Sequence, residues 1–359
     1  MKNFRSKYMI KQCYLEITNS CNLNCRHCYN DSGKFSTEIP LQTIRYIIKQ
    51  LYSRNCYSVI LSGGEPLLHT EFFKIIKLFL ENNFDITVIT NGTLLTQSYI
   101  SKFLNIDKSQ KILFQISLDG SNKETNDLVR GSGIFNKVIE VAEMLNKTNY
   151  RFKFHSVINS INCTEIEDII KLAIKLNAGS LDFGIIRLYG RAKAKSFLTL
   201  NEMENYKCMK TLIHLAEKYR ALIKINVTHE VGQCPLLNKG IVKISPRIDV
   251  NGNVYLCQLF NFPYSVGNIF YQSLYEVLMS NKIEELILNI KKFYKNNSLC
   301  QNCLAQPICG GGCPAYAMED KCNGGTDGFC MYKKYLILHR IAKQKIDEVN
   351  DGYIQIKNY

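Results

Sequence analysis

Cys21-Asn-Leu-Asn-Cys25-Arg-His-Cys28-Tyr29 is the stretch on which the reading of this chain turns. Three thiols separated by three and then two residues fit on one short loop, and such a loop can wrap a single metal centre. The segment just before it, Gln12–Thr18, is rich in β-formers and reads as a strand. Further strand segments follow at Ser58–Leu61, Ile86–Thr90, Ile112–Ser117, Phe152–Ile158 and Leu181–Leu188. Helical patterns lie between them at Leu41–Tyr52, Thr70–Asn82, Ile134–Leu145 and Thr164–Leu176. The last opens with Thr164-Glu-Ile-Glu167, a capping box. Alternating β and α segments at about 30-residue spacing predict an α/β fold, a parallel sheet with helices outside that curls toward a barrel. A full barrel needs eight units. Six are read here, which predicts a partial (β/α)6 barrel.

Chemistry-bearing residues cluster at one end of that sheet. The thiol loop follows strand one, Ser62-Gly63-Gly64-Glu65-Pro66 follows strand two, Asn91-Gly92-Thr93 strand three and Leu118-Asp119-Gly120 strand four. Parallel αβ barrels place their active sites at the C-terminal strand ends. Three thiolates on a [4Fe–4S] cluster leave its fourth iron open to bind a ligand. Gly63 and Gly64 let backbone approach a ligand closely, and Glu65 offers a carboxylate to an amine.

The 15 cysteines and the net charge of +14 bound the remaining choices. With 46% hydrophobic and 21% charged residues the chain reads as globular. The N-terminal residues lack an apolar stretch with a small-residue cleavage site, and no apolar run approaches the roughly 18 residues of a membrane span. A cytoplasmic location is therefore expected, where clustered thiols mean metal or catalysis. The basic charge on its own would suit nucleic acid or an anionic membrane, but three clusters on thiolates would lower it, and the positive surface that remains suits an electron donor or an acidic peptide. Neither nucleic acid nor membrane is expected as a partner.

CNLNCRHCY, SGGEP, TNGTLL and QISLDG, in that order, resemble the motifs of the radical S-adenosylmethionine (SAM) superfamily. The resemblance implies a [4Fe–4S] cluster on Cys21, Cys25 and Cys28 whose open iron binds SAM. It implies reductive cleavage of SAM to a 5′-deoxyadenosyl radical that abstracts a substrate hydrogen. It places Gly63, Gly64 and Glu65 near the SAM amine, Ser117 and Asp119 near its ribose or carboxylate, Arg130 near the carboxylate and Tyr29 beside the adenine. His27 reads as packed or solvent-facing, and His155 as core or cavity wall. Arg187, with Gly190-Arg191-Ala192 beyond it, reads as a partner for a substrate carboxylate or as half of a surface ion pair.

Gly252-x4-Cys257 followed by Cys300-x2-Cys303-x5-Cys309-x3-Cys313 and Cys330 resembles the SPASM extension, which carries one or two auxiliary Fe–S clusters. By that resemblance Cys300, Cys303, Cys309 and Cys330 ligate the outer auxiliary cluster, and Cys313, Cys257 and Cys234 the inner one. The inner site would then have three protein thiolates, unless Cys322 or another group completes it; Cys322 and Cys330 both remain candidates for the outer site. A structural zinc module is the alternative for these thiols. Cys13, Cys56, Cys163 and Cys208 read as isolated buried residues. The implied organisation is a barrel over 8–190, a helical connector over 191–230, an auxiliary-cluster domain over 231–335 and a C-terminal helix and tail over 336–359.

Peptide or protein modification is the expected reaction class. Only 20 residues precede Cys21, so a separate recognition protein is expected for a peptide substrate, with flavodoxin or ferredoxin as electron donor. The alternatives are an anaerobic sulfatase-maturing enzyme, an enzyme altering haem-precursor side chains, and an Fe–S electron-transfer or scaffold protein.

Overall fold

The computed structural model describes residues 7–227, 234–238, 240–319 and 325–339. A short strand, β1 (Tyr8–Ile10), precedes β2 (Cys13–Thr18), and the chain then alternates through α1 (Leu41–Tyr52), β3 (Ser58–Gly63), α2 (Phe72–Glu81), β4 (Asp85–Thr90) and α3 (Gln97–Ile106). It continues with β5 (Ile112–Ser117), the helix pair α4 (Lys123–Arg130) and α5 (Ile134–Lys147), β6 (Phe152–Ile158), α6 (Ile166–Lys175) and β7 (Ser180–Ile185). Strands β2 to β7 pair in parallel and in sequence order, as the βα rhythm predicts.

The stretch after β7 is less helical than its composition suggests. It holds two 3-10 turns, α7 (Glu202–Lys218) and then β8 (Lys224–Val227), which adds one more parallel strand beside β7. On the other side of β2 the sheet also grows, through β10 (Arg247–Ile248), β11 (Asn253–Tyr255) and β12 (Gly267–Asn268). Strand β10 runs parallel to β2, whereas β11 and β12 are antiparallel additions. Strand β9 (Val242–Ile244) pairs separately with β1. The C-terminal region thus continues the barrel's own sheet, and one hydrophobic core runs from Tyr8 to Leu336.

Period-2 burial explains how the strands bind that core. In β5, Ile112, Phe114 and Ile116 are fully buried, while Leu113, Gln115 and Ser117 alternate with them and are half-buried. Strand β6 repeats this, with Phe152, Phe154, Ser156 and Ile158 buried against Lys153, His155 and Val157. The first set packs under helices such as α5, whose Val138, Val141, Ala142 and Leu145 are buried at helical spacing. The second set faces the concave side of the sheet.

One helix reading changes. Thr164 does not cap α6; its N-cap is Glu165, which makes no capping bond. The C-terminal region holds two further helices, α8 (Leu274–Leu278) and α9 (Asn281–Lys295), with Ser273 and Glu276 forming a capping box for the first. A final helix occupies 330–339. Among the described residues no helix is long and apolar enough to cross a membrane.

Candidate active site and thiol sets

The loop of Cys21, Cys25 and Cys28 leaves β2 at the C-terminal edge of the sheet and is held from several strand ends at once. Asn22 donates to Thr93 Oγ1 at 2.8 Å and accepts from Asn91 Nδ2 at 2.9 Å, which ties the loop to the exit of β4. Arg26 N donates to Val129 O at 2.9 Å, and the Cys25 thiol lies 3.7 Å from Arg130 O, which ties it to the end of α4. Asn30 Nδ2 donates to Glu16 Oε1 at 3.1 Å on β2 itself.

Burial pushes the Cys21 thiol up to about 11 and raises Cys25 as well, with Cys28 acting on both. Such thiols stay protonated in an apoprotein. A metal centre reverses that preference because its positive charge stabilises thiolates. The donor set therefore fits a cluster: three mutually interacting thiols on one loop, at the mouth of the sheet.

Gly63 and Gly64 are required by packing against that loop. Gly63 has φ +131°, and a Cβ there would overlap the Thr18 carbonyl oxygen. A Cβ on Gly64 would overlap Ser20 O. The pair lets β3 exit against the start of the thiol loop, fixed by Gly64 N to Thr18 O (2.7 Å) and Glu65 N to Ser20 O (2.8 Å). Glu65 is fully buried; its carboxyl accepts from Thr90 Oγ1 at 2.8 Å, Asn91 N at 2.8 Å and Leu67 N at 3.3 Å. Burial outweighs these bonds and pushes it up to about 7.

Asp119 is likewise fully buried with both oxygens engaged. Oδ1 accepts from Val157 N at 2.7 Å, and Oδ2 sits 2.7 Å from Arg130 Nε and 3.0 Å from His27 Nε2. Burial alone would raise this carboxyl, but Arg130 and His27 hold it well below the usual carboxylate range. Asp119 thus acts inward, pinning Arg130 and the thiol-loop His27. Ser117 closes β5, pairs in register with His155 and stays half-buried on the concave side. Tyr29 is partly exposed, with its hydroxyl 3.5 Å from Glu16 Oε1.

The concave side carries a polar group that the sequence reading missed except for His155. Lys153 Nζ lies 2.6 Å from Asp182 Oδ2, and Asn226 Nδ2 donates to Asp182 Oδ1 at 2.6 Å. His155 is lowered by burial, with Asp119 and Asp182 opposing. The usable signal was polar residues at alternate positions of apolar strands, Lys153 and His155 in β6 and Asp182 in β7.

In the C-terminal region the thiols sort into two neighbourhoods. Burial raises Cys313 to about 12 and Cys234 to about 11, and the charges acting on them include Cys257 in both cases. Cys300 feels Cys309 and Cys303, and Cys330 feels Cys309. A buried Lys333–Asp327 pair lies between the two neighbourhoods: the Asp327 carboxylate accepts from Cys313 N at 2.8 Å, and Lys333 acts on Cys309. Cys322 falls within 320–324, outside the described residues. The four scattered cysteines come together as two pairs. Cys13 is raised by burial with Cys56 as neighbour, and the Cys208 thiol points at Cys163 O, 4.0 Å away. Among the described residues no three His, Cys, Asp or Glu side chains are close enough to hold one metal ion.

Arg247 joins the two regions. Its guanidinium pairs with Glu16 at 3.0 Å on β2 and donates to Phe260 O at 2.8 Å, close to Cys257.

Two family models match the chain. The family model for the radical SAM superfamily matches residues 15–173, and that of SPASM, an iron–sulfur cluster-binding domain, matches 242–304. The chain belongs to the radical SAM superfamily and carries a SPASM domain. It is 26% identical over 301 residues to the antilisterial bacteriocin subtilosin biosynthesis protein AlbA of Bacillus subtilis (strain 168), covering 82% of this chain and 65% of that protein. It is 33% identical over 166 residues to the AdoMet-dependent heme synthase of Methanosarcina barkeri (strain Fusaro / DSM 804), covering 45% of this chain and 47% of that one. The chain therefore spans less than two thirds of the length of both relatives. The solved structure of native anSMEcpe with bound AdoMet and Cp18Cys peptide shares the fold, with a TM-score of 0.71 and 22% identity over 96% of this chain and all of that one.

Proposed function

We propose that this protein is a radical SAM enzyme that modifies a peptide or protein side chain. The observation that carries the reading is the extent of likeness. The match to the bacteriocin biosynthesis protein covers 82% of the chain, whereas the match to the heme synthase covers 45%. A likeness that runs over most of the chain favours the first relative's class of substrate.

The family's cofactors are [4Fe–4S] clusters and SAM. When bound, they supply one-electron reductive cleavage of the SAM sulfonium to methionine and a 5′-deoxyadenosyl radical, which takes a hydrogen atom from substrate. The roles that follow are those of the chain itself. Cys21, Cys25 and Cys28 hold the SAM-binding cluster. Ser117 and Arg130 face the SAM carboxylate, Arg130 being aimed by Asp119. Gly63, Gly64 and Glu65 shape the rim near the SAM amine, with Glu65 holding the Asn91 turn in place, and Tyr29 forms the adenine side. The concave polar face of Lys153, His155, Asp182 and Asn226 takes the substrate. Cys300, Cys303, Cys309 and Cys330 hold the outer auxiliary cluster, and Cys234, Cys257 and Cys313 the inner one. A peptide-recognition protein and a flavodoxin- or ferredoxin-type donor complete the system in the cytoplasm, and residues 8–190 and 231–335 divide radical generation from electron removal.

The test is anaerobic reconstitution followed by reduction in the presence of SAM. The expected result is 5′-deoxyadenosine from the wild type and only background from Cys21→Ala/Cys25→Ala/Cys28→Ala. A small precursor peptide encoded beside the gene should then change mass in the presence of wild type. A haem precursor consumed while such peptides stay unchanged would replace this reading with the tetrapyrrole one.

A further inference from the structure

The five residues that follow β7 and its exit touch both thiol regions. Arg191 donates its backbone N–H to Cys28 O at 2.9 Å and Nε–H to Cys25 O at 3.0 Å. Its Nη1 donates to Ser32 O at 2.8 Å and pairs with Asp31 at 3.2 Å. One residue thus binds the thiol loop at three carbonyls and a carboxylate. Gly190 makes this approach possible: its φ is +55°, and a Cβ would stand 2.6 Å from Cys28 O and overlap Tyr29 O. Arg187 reaches the opposite way. Its Nη1 donates to Leu259 O at 2.7 Å, two residues past Cys257, and Nη2 to Ala315 O at 3.5 Å, two residues past Cys313. The guanidinium lies over the Tyr316 ring at 4.4 Å.

We propose that Arg187 and Arg191 are positioning residues that hold the SAM-binding thiol loop and the inner auxiliary thiols in fixed register through one short segment. This rests on the assignment of those thiols as cluster ligands. The chemistry suits arginine specifically. A planar guanidinium offers five N–H donors in a rigid fork, whereas lysine offers a compact charge on a flexible stem. Apart from the Asp31 carboxylate, the partners are backbone carbonyls, so the bracket acts on the path of each loop and leaves the thiols to the metal. Three residues separate the two forks, which leaves the two loops little freedom to move independently. Electron removal from a substrate radical depends on that separation.

The experiment uses reconstituted protein with all clusters loaded, read by EPR and by redox titration of each cluster. Arg191→Ala and Arg191→Lys should change the EPR signal and potential of the SAM-binding cluster, and lower 5′-deoxyadenosine formation at least tenfold, with the auxiliary signals kept. Arg187→Ala and Arg187→Lys should change the inner auxiliary signal and lower modified product per 5′-deoxyadenosine, with the SAM-binding signal kept. Selective effects of this kind support the bracket. Equal effects of either variant on all clusters, or on thermal stability alone, would overturn it, as would wild-type signals in both. Rescue by the lysine variants would remove the claim for the fork. Should wild type itself take up no iron, the cluster assignment fails and the bracket with it, an outcome separable from the others at the first step.

Discussion

The two thiol regions differ in what orders them. The loop of Cys21, Cys25 and Cys28 is short, yet it is bonded to the ends of β2 and β4, to α4 and to the segment after β7. Each of those elements is fixed by the sheet and its helices, so the loop's shape is set before any metal arrives. The region from Ser298 to Phe329 has helices of four to six residues, Ser298–Gln301, Gln306–Cys309 and Pro314–Glu319, and among its described residues no strand. Isolated helices of that length do not persist in water. Metal therefore plays a different part in each: it fills a prepared site in the barrel, and it completes the fold in the C-terminal region.

Iron removal exposes the contrast most strongly. Chelation should leave amide protection in β2 to β7 close to its holoprotein level. Protection of the Cys300–Cys309 helices and of 330–339 should fall by several orders of magnitude, since structural metal sites contribute about 10 kcal/mol to folding. Hydrogen exchange with mass spectrometry reads both regions in one sample. Uniform loss across the barrel, or uniform retention, would remove the distinction.

A sharper cut within the weaker region is Asp327→Asn. Asp327 and Lys333 are both almost wholly buried. Removing one charge strands the other, at a cost of about 3–5 kcal/mol. The variant should lose auxiliary iron while 5′-deoxyadenosine formation at the barrel persists. Asp327→Leu/Lys333→Met should recover part of the stability, because a buried pair replaced by apolar groups is often neutral.

The barrel's counterpart is a carboxyl without a cation. Glu65 is raised to about 7 by burial, against an ordinary value of about 4.3 in an unfolded chain. A raised carboxyl makes its full contribution to stability below the unfolded value and loses it as pH climbs through 7. The loss amounts to about 3 kcal/mol between pH 5 and 8. In urea melts, the gap between wild type and Glu65→Gln should therefore narrow as pH rises. A gap that stays constant would mean the carboxyl does not titrate in that window.

What the sequence disclosed follows the same line. Contacts within one loop leave a mark in spacing, so the Cys21–Cys28 set and the run from Cys300 to Cys313 stand out unaided. Richness in β-formers located β2 to β7, and Ile112–Ser117 and Phe152–Ile158 coincide with their strands at both ends. Contacts across the fold leave no such mark. Arg191 meets Cys25 and Arg247 meets Glu16 only because parallel strands bring distant segments to one edge. Strand β8 was hidden for a related reason: Lys224–Val227 is four residues long with no wholly buried position, too little for an alternating pattern to show. Gly63 and Gly64 were visible, but their spacing could not say whether the close neighbour was a ligand or the backbone at Thr18 and Ser20.

The smallest expected effect lies where local pattern and tertiary structure disagree. Thr164-Glu-Ile-Glu167 has the form of a capping box, yet Thr164 is exposed and α6 starts after Glu165. Glu165 is instead drawn across to the start of α4. It accepts from Ser121 N at 2.9 Å, Ser121 Oγ at 2.8 Å, Asn122 Nδ2 at 3.3 Å and Thr125 Oγ1. Burial would raise its carboxyl, but these bonds together lower it. Once the loop after β5 has claimed Glu165, the backbone no longer offers Thr164 the capping geometry. Thr164→Ala should then shift stability by no more than about 0.5 kcal/mol, as at an ordinary surface position, where loss of a true cap costs about 1 kcal/mol. Glu165→Ala should cost about 1 kcal/mol, since the half-exposed donors it leaves can turn to water. Thermal melts of the two variants side by side decide it, and the opposite order would return the cap to Thr164.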